Sequence, residues 1–307
     1  MSESLAAASS VDWRTPLELI ALGAIWGGSF LFMRVAAADF GPFALVEVRI
    51  VLGAAIVLPF LWQMRARLTR ALWLRFAIVG ALNSAVPFTL FAWGAERAPA
   101  GIGAIANSLT VLFTALIALL VYRERIGIRR GVAMLAGFVG VVVLASGKTA
   151  GEHVAQAALA GAAASFCYGF AANFTKRWFA DLPPIGAVAG TLVCAALMLA
   201  PFALHAWPTV QPPRLSWLCA GLLGVLCTGI AYAFFFRLIQ RVGAPRATTC
   251  TYLVPLFGVA WGWLLLGEMP TLTMLVAGTL ILGSVIISQR EKTGLEMREK
   301  AYATTRR

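Results

Sequence analysis

The residues of this sequence that could bind a small molecule lie inside long apolar runs. Amide, hydroxyl and indole groups are costly within lipid, so they usually face other protein groups or a water-filled cavity. Asn107, Thr110 and Thr114 recur at spacings of three and four residues, which places them on one face of a predicted helix. The candidate substrate-binding residues are Trp26, Asn83, Ser84, Asn107, Tyr168, Thr228, Tyr232 and Tyr252.

Each of these residues also has a structural interpretation. A hydroxyl or amide within a membrane helix can bond to a neighbouring helix or to the preceding turn of its own helix. For a single Ser or Thr this interpretation is the commoner one, whereas Asn83 and Tyr232 are balanced between the two. Trp26 lies near the centre of its run, where an indole offers an apolar platform with one donor for a substrate, or simple packing.

Arg49 is the most unusual charged residue, because it lies within an apolar run. It is about 9 Å along its predicted helix from Phe43, at 1.5 Å per residue. Glu47 is two positions away and on a different face, so the two side chains are poorly placed to pair. The favoured role is structural, with the guanidinium extended to the outer surface or bonded to a carbonyl or carboxylate of another helix. A gate, or an anchor for a substrate carboxylate, is the functional alternative.

The elements that position these residues follow from composition. Hydrophobic residues make up 60% of the 307 positions and charged residues 12%, whereas soluble domains carry about 25% charge. A helix needs about 20 apolar residues to cross about 30 Å of hydrocarbon. We therefore predict an all-α membrane protein with ten transmembrane helices. They span residues 17–36, 43–62, 72–93, 100–122, 130–147, 156–175, 184–204, 215–237, 245–266 and 271–289.

The distribution of Lys and Arg predicts the orientation. With a cytoplasmic N-terminus, the outer segments hold only Arg34, Arg97, Lys148 and Arg214. Apart from Arg49, the remainder of the 25 basic residues fall on the inner side, which is the asymmetry typical of multi-pass plasma-membrane proteins. Both termini are therefore expected in the cytoplasm, and residues 291–307 are predicted to be a solvated cytoplasmic tail. The net charge of +12 is explained by basic residues in the segments between the membrane helices, so no nucleic-acid partner is expected.

The chain contains two similar halves. At a nearly constant offset Trp26-Gly27 aligns with Tyr168-Gly169, and Glu124 aligns with Glu268. The predicted halves are residues 1–148 and residues 149–290. Each holds five helices, and because five is odd the second half must be inserted in the opposite orientation. Inverted repeats are typical of transporters, with a site near the membrane midplane between the halves.

Some features of the repeat are symmetric and others are not. Glu124 and Glu268 each end a long run at opposite faces, which indicates gating or structural contacts rather than one shared site. Pro255 has no counterpart, because Val111 stands at the equivalent position. Arg49, Glu47, Glu124, Pro255 and Glu268 therefore form the set of gating or structural candidates.

Taken together, the aromatic-Gly pairs, Arg49, the two glutamate motifs and the glycine-bearing fifth helices resemble the EamA family of the drug/metabolite transporter superfamily. The likeness covers nearly the whole chain, although that family often carries Pro in the fourth helix of both halves. The resemblance implies export of metabolites, often amino acids. Among members, the chain is most similar to the exporters of the aromatic amino-acid type.

The predicted function is alternating-access export of small organic metabolites, in particular amino acids, across a bacterial inner membrane. A multidrug or organic-cation exporter that uses Glu47 as its charge is the alternative, and a membrane enzyme or lipid-handling protein is a third possibility. The first predicted helix has no central carboxylate of the kind that small multidrug pumps use, which favours neutral or zwitterionic solutes.

The sequence carries no motif for catalysis. HExxH and GxSxG are absent, and the two histidines, His153 and His205, lie in predicted outer segments. Gly147-Lys148-Thr149 resembles the tail of a phosphate loop, but Val142 stands where the leading glycine is needed. No enzyme activity, catalytic residue, metal or cofactor is predicted. The expected partners are a small-molecule substrate and the lipid bilayer, and the expected state is a monomer.

Overall fold

The computed structural model describes residues 14–124, 126–145 and 151–305. Lys148 and tail residues 306–307 lie outside the described residues. The described parts of the chain contain helices, turns and loops but no strand, in agreement with the predicted all-α membrane protein. Within these described ranges, seven helices are long and apolar enough to cross a membrane. They are Arg14–Gln63, Arg70–Ala95, Ala100–Leu120, His153–Trp178, Pro184–His205, Arg214–Val242 and Thr248–Leu266.

Two shorter apolar helices, Gly131–Ala145 and Leu272–Ser288, accompany the seven long ones and pack against each other. In chain order the α-helices are α1 (Arg14–Gln63), α2 (Arg70–Gly80), α3 (Val86–Ala95), α4 (Ala100–Asn107), α5 (Leu109–Leu120), α6 (Ile128–Ala145), α7 (Gly151–Trp178), α8 (Pro184–His205), α9 (Arg214–Gly224), α10 (Ala231–Val242), α11 (Ala244–Ala247), α12 (Leu253–Leu266) and α13 (Leu272–Thr305).

The long helix α1 is broken at Gly41. This residue has φ 71° and ψ 161°, a conformation that glycine adopts readily because it has no Cβ. Pro42 follows, and a proline at the start of a helix loses no hydrogen bond that the helix would otherwise make. Two successive helices therefore make up the 50 residues, and the predicted runs 17–36 and 43–62 fall on either side of the break.

Several helices are irregular in the middle of their apolar runs. Ala81–Ala85 between α2 and α3, and Val225–Ile230 between α9 and α10, are π-helical. Ser108 separates α4 from α5, and Thr248–Tyr252 forms a 3₁₀ turn before α12. The periodicity of the sequence predicts continuous helices at all four places and so misses these interruptions. Non-helical backbone at membrane depth is tolerated where it lies against protein or lines a water-filled cavity.

The closest approach between α1 and α9 depends on glycine. A Cβ on Gly224 would lie 2.5 Å from the Cβ of Leu52 and 2.9 Å from the carbonyl oxygen of Arg49. A Cβ on Gly53 would lie 2.5 Å from Cγ2 of Thr228. Small residues that allow such backbone contact are a common basis of helix association in membranes. This contact places Arg49 of α1 beside the second π-helical segment.

We predict that Gly224→Ala lowers the thermal stability of the purified protein in detergent. The new methyl group meets backbone as well as a side chain, so a loss of about 1–3 kcal/mol is expected from overpacking. Gly221→Ala is the matched control, because it lies one turn earlier in α9 and its Cβ would meet no atom within 4 Å. Equal melting temperatures for the two variants would contradict the close contact.

Candidate functional site

A cavity of about 360 Å³ lies among α1, α3, α4, α5, α7, α10, α12 and α13. Of the predicted binding residues, Trp26, Asn83, Asn107, Tyr168, Tyr232 and Tyr252 line it. These six side chains come from both halves of the chain, and no two of them lie within 12 residues of each other in the sequence. Its volume is near the lower end of the range for small-molecule sites, about 300–1,000 Å³.

The cavity is bordered by the irregular backbone segments. Asn83 belongs to the first π-helical segment and Cys227 to the second. Ser108 marks the break between α4 and α5, and Thr251 and Tyr252 lie in the 3₁₀ turn. π-helical turns occur frequently at functional sites, because the extra residue redirects the neighbouring side chains and frees backbone groups.

Trp26 combines a structural contact with an apolar surface on the cavity. Its Nε1 donates a hydrogen bond of 3.2 Å to the carbonyl oxygen of Cys227, within the second π-helical segment. Its ring packs edge-on against Tyr232 and Phe235, with centroid distances of 6.3 and 5.1 Å. The indole donor is therefore satisfied by protein. What Trp26 can offer a solute is the face of its ring.

Aromatic rings and amides make up much of the remaining wall. The side chains of Asn83 and Tyr232, which come from the two halves of the chain, both line the cavity. Tyr168 packs against Phe88 and Phe91 at centroid distances of 6.5 and 6.1 Å. A wall of this kind suits a solute with an apolar or aromatic body and few polar groups.

Arg49 also lines the cavity, with only 5% of its surface exposed. Its Nε donates a 3.1 Å hydrogen bond to Oγ1 of Thr228, and Nη1 lies 3.7 Å from Sδ of Met33. The guanidinium carbon is 3.7 Å from the centre of the Phe88 ring. The favoured prediction for Arg49 was therefore wrong in its partners. The side chain is buried too deeply to extend to the outer surface, and it bonds to a hydroxyl instead of a carbonyl or carboxylate.

Two of the predicted binding residues do not line the cavity. Ser84 and Thr228 are both completely buried. Oγ1 of Thr228 donates to the carbonyl oxygen of Leu223 at 2.8 Å while it accepts from Arg49, so it supports the guanidinium from behind. Oγ of Ser84 has no hydrogen-bond partner among the described residues. Both residues lie in the π-helical segments, where an added residue per turn rotates side chains away from the face that an α-helical period predicts.

Two hydroxyl groups of the cavity wall have unused hydrogen-bonding capacity. Oγ of Ser108 and Oγ1 of Thr110 are buried and have no partner among the described residues. Thr110 belongs to the polar face that the sequence indicates, whereas Ser108 was missed because nothing in the periodicity marks the helix break. An unsatisfied buried hydroxyl costs free energy, and a bound solute or water could satisfy it.

Glu47 and Pro255 lie away from the cavity. Glu47 is half-buried, its Oε2 has no partner in the described structure, and it does not line the cavity. Pro255 is buried near the start of α12 and does not line it either. Arg49 is consequently the one charged side chain among the described residues of the cavity wall.

Beyond one end of the cavity, Glu268 holds two helices together. Its Oε1 accepts a 2.9 Å hydrogen bond from Nε of Arg34, and its Oε2 accepts a 2.8 Å bond from the amide nitrogen of Ala100, at the start of α4. Nη1 of Arg34 also donates to the carbonyl oxygen of Ala95 at 2.8 Å. Phe30, one turn before Arg34 in α1, lines the cavity. This network therefore lies one helical turn along α1 from a residue of the cavity wall.

Glu124 makes the related contact in the other half. Its Oε1 accepts hydrogen bonds from Nη2 of Arg177 at 2.9 Å and from Nζ of Lys176 at 3.3 Å. Burial raises the pKa of Glu124, but the two cations outweigh it and hold the pKa below its ordinary value of 4.5. The ion pair is thus fully formed above pH 4.5 and is lost as the pH falls through the lowered pKa.

The described residues hold no group of three or more His, Cys, Asp or Glu side chains that could bind a metal ion. The five cysteines are free, and four of them are buried. With one guanidinium, several hydroxyls and amides, and aromatic rings, the cavity can bind and orient a small anion or zwitterion. It offers no paired acid and base, which most hydrolytic or transfer reactions need.

Residues 16–146 and 155–289 each match the family model described as the EamA-like transporter family. The chain is 24% identical over 291 residues to a "Probable terminal-alkyne amino-acid exporter" of Streptantibioticus cattleyicolor, covering 93% of this chain and 95% of that protein. It is 23% identical over 279 residues to a "Probable amino-acid metabolite efflux pump" of Salmonella typhimurium, covering 86% and 91%.

An "Uncharacterized inner membrane transporter" of Escherichia coli, YedA, is 26% identical over 282 residues, covering 88% of this chain and 89% of that protein. A solved crystal structure of a protein aligns with a TM-score of 0.59 over 90% of this chain and 96% of that chain. The sequence identity of that alignment is 21%, so it shows a shared fold.

We predict that Arg34 and Glu268 are energetically coupled. In a double-mutant cycle of Arg34→Ala and Glu268→Ala, the coupling energy is expected to be about 0.5–3 kcal/mol, since the residues share one hydrogen-bond network. Glu268→Ala is expected to be the more destabilising single change, because it also removes the acceptor for the amide of Ala100. Thermal unfolding in detergent measures the cycle. Additive effects of the two substitutions would contradict the network.

Proposed function

The chain belongs to the EamA-like transporter family, and we propose that it exports a small organic metabolite, most specifically an amino acid, across the bacterial inner membrane. One observation carries this proposal: a cavity of about 360 Å³ lined from both halves by aromatic rings, amides and a single cation. The family match and the named exporters among the relatives support transport rather than catalysis.

The proposed architecture is ten transmembrane helices arranged as two inverted five-helix repeats, residues 1–148 and 149–290. The break at Gly41 supports it by dividing α1 into two helices. Two separate matches to one family model support it as well, because each covers one half. An odd number of crossings in each half then inverts the second half and brings both termini, with tail 291–307, to the cytoplasm.

The proposed mechanism is alternating access to the central cavity. Glu268 pairs with Arg34 of the first half, and Glu124 pairs with Lys176 and Arg177 of the second half. In inverted repeats these equivalent contacts lie on opposite faces of the membrane. We infer that they act as two gates, one of which opens while the other holds. Rocking of two packed halves about a fixed site is a common way to achieve this exchange.

The alternative, an exporter of organic cations that uses Glu47, has less support. A cation-binding site needs an acceptor of positive charge facing the solute, and Glu47 lies outside the cavity wall. The guanidinium of Arg49 would instead repel a cationic drug. A carboxylate or zwitterion is compatible with that charge, and the names of two relatives mention amino-acid compounds as their substrates.

Transport by the purified chain in proteoliposomes tests the proposal. We expect counterflow of aromatic or aliphatic amino acids above the level of protein-free vesicles, and none of a nucleotide or of tetraphenylphosphonium. Trp26→Ala should raise KM about tenfold, since an aromatic contact is worth about 1.5 kcal/mol and 1.4 kcal/mol is a tenfold change.

Trp263→Ala is the matched control for Trp26, because Trp263 is about half exposed on α12 and does not line the cavity. It should leave KM unchanged. Flux of the organic cation alone would contradict the amino-acid proposal. Equal kinetics of the two folded tryptophan variants would remove Trp26 from the site.

The proposed orientation predicts opposite labelling of two introduced cysteines. Ala66→Cys should react with an impermeant maleimide only after the cells are permeabilised, and Thr209→Cys should react in intact cells. Both positions are exposed. The unmodified chain is the background control, since four native cysteines are buried and Cys167 is partly buried. External labelling at position 66 would reverse the orientation.

A further inference from the structure

We propose that Arg49 is the group of the cavity that binds the carboxylate of the solute, so that the transported class is small carboxylates with an apolar body. This inference rests on the proposed function, and it deepens it by assigning the recognised group. The proposal assigns different binding strengths to the two charged groups of an amino acid: the cavity binds the carboxylate strongly and the ammonium weakly.

The first observation is a buried charge without a counter-charge. Arg49 is 5% exposed, and among the described residues no carboxylate oxygen lies within 4.0 Å of its guanidinium. A guanidinium keeps its proton in proteins, so it cannot escape this cost by becoming neutral. Unpaired charges in a low-dielectric interior are expensive, and an anionic ligand would offset the cost.

The second observation is the unused hydrogen-bonding capacity of the side chain. A guanidinium has five N–H groups in a planar fork that matches the geometry of a carboxylate. In the described structure Nε is bonded to Thr228, and Nη1 faces only the weak acceptor Sδ of Met33. Nη2 makes no hydrogen bond to a described residue. The edge of the fork that includes both terminal nitrogens is thus available to a solute.

The third observation is that the guanidinium is held in place from behind. Oγ1 of Thr228 is fixed by its own bond to the carbonyl oxygen of Leu223, and the Phe88 ring packs against the guanidinium plane at 3.7 Å. The close glycine contact at Gly224 brings the backbone of α9 against the turn of α1 that carries Arg49. A positioned donor binds more tightly than a flexible one, because less side-chain entropy is lost on binding.

The other residues of the cavity wall offer the ammonium group of an amino acid a weaker site than Arg49 offers the carboxylate. None of its described lining residues is a carboxylate, so an ammonium would meet hydroxyl, amide and aromatic groups such as Ser108, Thr110 and Asn107. These groups satisfy an ammonium less strongly than a charged partner would. Loss of the carboxylate should therefore weaken binding much more than loss of the amine.

Binding to the wild-type protein tests this with two matched series. The first is L-phenylalanine, 3-phenylpropionate, L-phenylalaninamide and phenethylamine; the second is L-leucine, 4-methylpentanoate and L-leucinamide. Affinity is measured in detergent by the quenching of intrinsic tryptophan fluorescence, with thermal shift as the independent readout. We expect at least tenfold weaker binding of the amides and of phenethylamine, since hydrogen bonds to charged groups contribute about 1.5–3 kcal/mol. The amine-free acids should bind within a few-fold of the amino acids.

Variants of the arginine give the second arm. Arg49→Gln should abolish the preference of acids over amides, and Arg49→Lys should keep part of it, because a lysine retains the charge but not the fork. Arg237→Gln is the matched control: Arg237 is exposed on α10, the helix of Tyr232 and Phe235, and does not line the cavity. It should keep the full preference. If Arg49→Gln does not fold, the comparison of acids with amides on the wild-type protein still tests whether the cavity binds a carboxylate.

The outcomes separate the two proposals. Equal behaviour of acids and amides in both series, or a preference that survives in folded Arg49→Gln, would overturn the assignment of Arg49 and leave amino-acid export standing. Transport of 3-phenylpropionate or 4-methylpentanoate without transport of any amino acid would support the assignment and contradict amino-acid export.

Discussion

The structure depends on keeping the guanidinium of Arg49 inside the membrane protein with no carboxylate of the described residues within 4.0 Å of it. Three kinds of neutral group surround it: the hydroxyl of Thr228, the sulfur of Met33 and the ring of Phe88. Each contributes less than an ion pair would, since their dipoles and polarisability only partly replace water. The charge therefore remains partly uncompensated at the cavity wall. A binding protein can use such a site, because an anionic ligand supplies what the protein lacks.

The backbone around this charge is irregular where it faces the cavity and regular elsewhere along the same helices. The second π-helical segment carries Thr228 and also offers the carbonyl of Cys227 to Trp26. The first carries Asn83, which lines the cavity together with Tyr232 of the other half. These defects cost hydrogen bonds in lipid, so their position against an interior cavity is the arrangement that a membrane protein tolerates. They are also natural points of bending when two halves move.

Much of this arrangement could be predicted from the sequence because hydropathy and repeats are local or periodic signals. The apolar runs located the helices, and the choice of central polar and aromatic residues placed Trp26, Asn83 and Tyr232 at one cavity. The irregular segments could not be predicted, since the sequence signals used, hydropathy and a 3.6-residue period, assume regular helices. For that reason nothing in the sequence separated Ser84 and Thr228, which do not line the cavity, from the candidates that do, and Ser108 was missed.

The partner of Arg49 was beyond sequence reasoning for a different reason. Residues 49 and 228 are far apart in the chain, and their contact depends on a glycine crossing that brings α1 against α9. Without that geometry, a buried arginine is equally compatible with an ion pair, a carbonyl contact or exposure at the surface. Because of this contact, we interpret Arg49 as a residue of the cavity wall and not as an anchor between helices.

Anomalous diffraction from crystals of the protein with bound 4-bromo-L-phenylalanine would show directly whether Arg49 binds the carboxylate of a solute. The bromine locates the aromatic body of the ligand, and the density between it and α1 locates the carboxylate. We expect the bromine among the rings of the cavity and a carboxylate oxygen within hydrogen-bond distance of the Arg49 guanidinium. A ligand bound in the cavity with its carboxylate directed away from Arg49 would contradict this expectation.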